Sequence, residues 1–184
     1  MDIAATLKWI EATALATSIR DSLFLFPMLE SIHVIGLALV FGMIFVLDLR
    51  MLGLASAARP FEKVARDVLR WTWAGFATTL ITGSLMFTTN AGVYVNNSYF
   101  RAKMLLLAAA GINMAIFELT LGKRVAQWGG AMSAPRAGRI AAALSIAIWI
   151  GVICTGRLVG FTTSRVKKGA PTPPDANLED LFKP

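Results

Sequence analysis

A glutamate and a histidine three residues apart, Glu30 and His33, stand inside an apolar stretch, and Gly36 follows one turn later. At that spacing the three share one face of a helix. Two cations in later apolar stretches, Lys103 and Arg157, belong with them by depth. A neutral imidazole in dry surroundings is a good ligand for haem iron when an acceptor fixes its other nitrogen. On this reading His33 is the metal ligand, and Glu30, Gly36, Lys103 and Arg157 complete the binding site of a haem b, the cations meeting its two propionates. The plainer reading of the same residues is that Glu30 and His33 hydrogen-bond each other or a neighbouring helix, as buried polar groups do.

Other chemistries fall away. The chain has one histidine and one cysteine, Cys154, so neither a zinc site of clustered His and Cys nor an internal disulfide can form. Gly-rich phosphate loops, a nucleophile elbow and a paired-histidine metalloprotease helix are all absent. Gly156-Arg157-Leu158-Val159-Gly160 lies in or at the edge of an apolar stretch and is no nucleotide motif. Met28, Met86 and Met104 fall on the candidate side, as gap-fillers or as a thioether ligand to haem iron or Cu(I).

The elements that must position these groups follow from composition. With 184 residues, 56% hydrophobic and 16% charged, and a mean hydropathy of +0.62, the chain reads as a membrane protein. Its charge of +7 fits loops held at anionic lipid better than nucleic acid, which is set aside as a partner. An uncharged run of about 18 residues or more reads as a spanning helix. Four such runs are expected, over 23–47, 71–89, 103–121 and 140–163, the first interrupted by Pro27, Glu30, Ser31 and His33. Asn90, Gly92, Asn96, Asn97 and Ser98 predict a loop, with Val93, Tyr94 and Val95 at the membrane interface. Residues 1–22 are too polar to cross. Ile3, Leu7, Ile10 and Ala14 recur at helical spacing beside Trp9, which predicts a short helix on the membrane surface. Residues 164–184, with Pro171, Pro173 and Pro174 ahead of an acidic stretch, read as an extended or disordered tail.

Depth can be compared across spans. His33 lies about 15 Å in from Leu23 and Arg157 about 10 Å in from Ser164, both from the same face, and Lys103 opens its span there. Arg50, Arg59, Lys63, Arg66 and Arg70, with Lys123, Arg124, Arg136 and Arg139, occupy the loops at the other face, which should be cytoplasmic. Both termini then lie outside. Asp48 and Arg50 are expected to make interfacial ion pairs. Glu118, with Asn113 on the same helix, reads as a capping or interhelical hydrogen bond or as a proton carrier.

The run Glu30-Ser31-Ile32-His33-Val34-Ile35-Gly36, then Asp48-Leu49-Arg50, and Phe100-Arg101-Ala102-Lys103-Met104-Leu105-Leu106 resemble the small bacterial membrane proteins grouped around HemJ and the CopD-type domains. Residues 30–53 and 149–161, with Gly156-Arg157 and Gly160-Phe161, look closer still to an uncharacterised bacterial family of similar length. The HemJ resemblance implies haem b on a first-helix histidine and a lysine needed for activity at the start of a later helix, which map onto His33 and Lys103. Beyond those two the HemJ pattern stops, and the single histidine departs from a CopD-like copper site.

The expectation is an all-α integral membrane four-helix bundle with an N-terminal interfacial helix, in the bacterial inner membrane. Haem b at His33 would pass electrons between the membrane, with quinone as donor or acceptor, and a partner on the outer side. A second axial ligand would come from a methionine, Lys103 or the His33 of a second copy in a homo-oligomer. The competing expectation is a non-redox membrane component, either an anchoring subunit or a proton or small-solute pathway.

Overall fold

The computed structural model describes residues 3–55, 61–120 and 135–167. Among these residues the chain is all-helical, with no strand. In chain order the helices are α1 (Ile3–Glu11), α2 (Ala14–Asp21), α3 (Leu25–Met51), α4 (Phe61–Thr88), α5 (Ala91–Asn96), α6 (Ser98–Thr120) and α7 (Arg136–Lys167). Three of them, over Leu25–Met51, Ser98–Ile116 and Arg136–Thr163, are long and apolar enough to cross a membrane. The region of the expected second span lies on α4, where Thr72, Thr78, Thr79, Thr82, Gly75, Gly83 and Ser84 dilute the apolar character.

Local chemistry explains where α3 starts and stops. Pro27 sits in its first turn, where a missing N–H costs nothing. The Ser22 hydroxyl accepts from the amides of Phe24 and Leu25, at 3.3 and 3.1 Å. At the far end Gly53 adopts φ 79°. Leu54 N–H then reaches the Leu49 carbonyl at 2.9 Å and Gly53 N–H the Arg50 carbonyl at 3.0 Å, the paired bonds of a Schellman stop. The helix therefore runs past the expected limit of 47 and carries Asp48 and Arg50 on its last turn.

α3 packs on α4 and on α7, and α7 packs on α6. The core lies between α3, α6 and α7, where Val40, Ile148, Trp149 and Val152 are buried and Leu37, Phe41, Ile44, Leu106 and Leu107 pack around them. Asn113 of α6 donates to the Ala141 carbonyl of α7 at 3.2 Å, an interhelical bond; the Glu118 side chain, on which that expectation rested, lies outside the described residues. The α3–α4 contact is of another kind. A Cβ added to Gly75 would lie 2.9 Å from Val40 Cγ2 and 3.0 Å from the Gly36 carbonyl, and one added to Gly36 would lie 2.9 Å from Thr79 Cγ2. Small residues here let two backbones touch, the usual basis of helix pairing without a hydrophobic driving force.

The ends correct two expectations. Residues 1–22 hold two helices, because Thr13 caps the second by accepting from Ala16 N–H at 3.3 Å. These helices pack on protein, α1 against α5 and α2 against α3 and α4, while Ile3 and Trp9 remain exposed. The expected loop contains α5, and Tyr94 is buried rather than interfacial. Its ring stacks near Phe87 and Phe100, with centroids 6.2 and 5.6 Å away. The reason is a distant acceptor: the Glu11 carboxylate takes Gly92 N–H at 2.8 Å and satisfies the start of α5. Helix α7 continues to Lys167 while its span-capable part ends at Thr163, the expected limit, and residues 168–184 of the expected tail lie outside the described residues.

The glycine contact yields a direct test. Gly75→Ala meets a backbone carbonyl that cannot move aside, and should lower the stability of the detergent-solubilised chain by about 1–3 kcal/mol. Gly42→Ala, with nothing within 4 Å of the added Cβ, should leave thermal unfolding unchanged or raise its midpoint.

Candidate functional site around His33

The glycine contact brings His33 against α4. Its ring packs on Gly83, where an added Cβ would lie 3.0 Å from Cε1, and Nδ1 lies 3.0 Å from the Thr82 hydroxyl. That hydroxyl has one proton, and it donates to the Thr78 carbonyl at the shorter distance of 2.7 Å. With its proton on that carbonyl, the hydroxyl presents lone pairs to the imidazole, an arrangement that suits a neutral His33 protonated on Nδ1 with its lone pair on Nε2. The Thr79 carbonyl is a further acceptor within reach of the ring.

Lys103 is the cation of this site. It projects from α6 over Gly156 of α7, where its Nζ would lie 3.7 Å from an added Cβ, and it is within electrostatic reach of His33. Asn97 aligns α6 for this. Its side-chain oxygen accepts from Tyr99 N–H and Phe100 N–H at 3.0 and 3.2 Å, and its amide donates to Thr162 of α7 at 2.7 Å. Of the five candidate residues, the fold thus gathers His33, Gly36 and Lys103 in one half of the bundle, with Gly36 serving the α4 contact.

Glu30 and Arg157 stand apart. The fixing acceptor on the imidazole is Thr82, not Glu30; Glu30 is exposed and its charge acts on Tyr94. Arg157 is also exposed and lies over the ring of Phe161, 4.7 Å from its centroid, a cation–π contact within its own helix. The expected Asp48 interfacial pair is corrected as well: Asp48 is buried and takes a hydrogen bond from Ser145 of α7. Among the described residues no group of three or more His, Cys, Asp or Glu is placed to hold a metal ion. Sequence reading missed Thr82 and Gly83 as site residues. Their signal was there as a stripe, Gly75, Thr79 and Thr82 with Gly83, recurring at helical spacing on an otherwise apolar helix.

These features were compared with known proteins. Residues 4–162 match a family of unknown function, DUF6644. The chain belongs to that family. The DUF6644 match covers α1 through nearly all of α7, so the N-terminal helices and the His33 site fall within one family unit. No curated protein and no solved structure matches the chain.

Two measurements test the geometry. Because the chain has a single histidine, nitrogen-15 labelling of histidine reports one ring; the expected spectrum shows Nδ1 protonated and Nε2 bare. Thr82→Ser should keep that pattern and Thr82→Val should mix the tautomers, whereas wild-type protein with a protonated Nε2 refutes the assignment. Burial, and then the negative charge of Glu30, hold the Tyr94 phenol above the ordinary tyrosine range. In an alkaline absorbance titration the Tyr94 component should appear later than a free tyrosine, move to lower pH in Glu30→Gln, and vanish in Tyr94→Phe.

Proposed function

We propose that this DUF6644 chain is a membrane-embedded haem b protein in electron transfer, working between quinone and a partner at the outer face. In this reading α4 completes a four-span bundle in the bacterial plasma membrane, with both termini outside. The observation that supports it is the placing of the imidazole: Nδ1 lies 3.0 Å from a Thr82 hydroxyl that donates to the Thr78 carbonyl, an arrangement that suits Nδ1–H and a metal-binding Nε2.

The donor chemistry of the site is that of one imidazole. His33 would hold the iron through Nε2, and the Lys103 ammonium would meet an acid group of the porphyrin. The group supplies a one-electron couple when bound. The work of the chain's own residues is then limited and definite. Thr82 fixes the ring plane and makes Nε2 a stronger donor. Gly83 lets the Nδ1–Cε1 edge of the imidazole come close to α4. Any further ligand to the group would come from a methionine, from Lys103 or from a second copy of the chain.

A non-redox component, anchoring a complex or conducting protons or a small solute, is the second reading. A shallow surface depression of about 280 Å³ lies away from His33. It lies on another side of α3, lined by Phe24, Pro27, Met28, Ser31 and Ile32.

A visible spectrum separates the two. Protein purified in detergent is expected to show a Soret band that shifts on dithionite reduction, is lost in His33→Ala and is weakened in Lys103→Gln. A colourless wild-type protein that folds as well as its His33→Ala variant supports the second reading instead.

A further inference from the structure

A second ionisable group lies at the opposite end of α3. Asp48 stands about 22 Å further along the helix than His33, at 1.5 Å per residue. It is 3% exposed and faces α7, where the buried Ser145 hydroxyl donates to it. Its other oxygen, Oδ2, is sealed from solvent and has no hydrogen-bond partner among the described residues.

Arg70 on α4 and Arg136 and Arg139 on α7 are exposed, and among the described residues only the Ser145 hydroxyl acts on the carboxyl. Arg50 is two residues on, about 200° around the helix axis from Asp48. The side chains of 61–67 are outside the described residues, so the facing groups counted here are those of α3, α7 and the rest of α4. A carboxylate with one donor and one bare oxygen in a dry interior is among the costliest arrangements a protein can hold, while the neutral acid is far cheaper.

We propose that Asp48 is a proton-binding site of the bundle, with the proton carried on Oδ2. The site is about 4.5 Å along the axis from Met51, close to the face where α3 ends and α7 begins. Release gives a carboxylate and a proton taken by water at that face; return of the proton restores the acid. Ser145 keeps its hydrogen bond in both states and holds the carboxyl against α7. The proposal is independent of what His33 binds, because the two groups sit in opposite halves of α3 and share no partner.

Infrared spectroscopy of the full chain in lipid bilayers tests it. At neutral pH the wild type minus Asp48→Asn difference spectrum should contain the carbonyl band of a protonated acid, and that band should shift in deuterium oxide. Ser145→Ala should move the band to higher frequency by removing its hydrogen bond; this second variant carries the test alone if Asp48→Asn does not fold. A difference spectrum with carboxylate bands only overturns the proposal. So does a carboxylate signal that follows sodium concentration, which would assign the site to a metal cation.

Discussion

Two backbones touch where Gly36 of α3 meets Gly75 of α4, and the rest of the site depends on that contact. An imidazole is short. It reaches a hydroxyl on the next helix only when the helices approach closely enough for their glycines to face carbonyls without intervening side chains. In lipid there is little to gain from hiding apolar surface between helices, so close packing and interhelical hydrogen bonds must supply the association energy. The Gly36–Gly75 approach provides the first, and His33 with Thr82 provides the second. Structural and functional roles are thus combined in one stretch of α3, which carries a packing glycine and a candidate ligand one turn apart.

A single hydroxyl links the two helices and one backbone carbonyl here. Thr82 spends its hydrogen on the carbonyl of Thr78, as helical threonines in apolar surroundings commonly do, and so presents only lone pairs to its neighbour. The imidazole answers with Nδ1–H. A serine or threonine elsewhere on the helix would be a routine backbone contact; here it sets the protonation pattern of the chain's one histidine. Held by Thr82 and packed on Gly83, His33 is an oriented imidazole.

The N-terminal helices and α5 close the same half of the bundle. Glu11 satisfies the first turn of α5, α5 buries Tyr94 between Phe87 and Phe100, and Asn97 then starts α6 in register with Thr162 of α7. Each step is a polar group meeting an orphan backbone amide or a hydroxyl across helices, and together they place Lys103 over Gly156. At the other end of α3 the logic is reversed: Asp48 is buried with Ser145 as its partner, so the two halves of this helix present different chemistry to the two faces.

Much of this was legible in the residues. Long apolar runs, the Glu30–Ser31 and His33 interruptions and the depth of Lys103 depend on counting along a helix, and a helix has one rise per residue whatever surrounds it. Three of the long helices have the apolarity of membrane spans, and His33 and Lys103 share a half of the bundle as counting requires. Rotation about each axis and the choice of partner are set between helices, and there the tertiary structure decided. It turned Arg157 outward onto Phe161, gave the imidazole to Thr82 in place of Glu30, and drew Asp48 inward to Ser145. It also folded the polar run after Asn90 into a helix, because its capping acceptor, Glu11, lies far away in sequence. Periodicity tells which residues share a face; only contact between helices determines what that face meets.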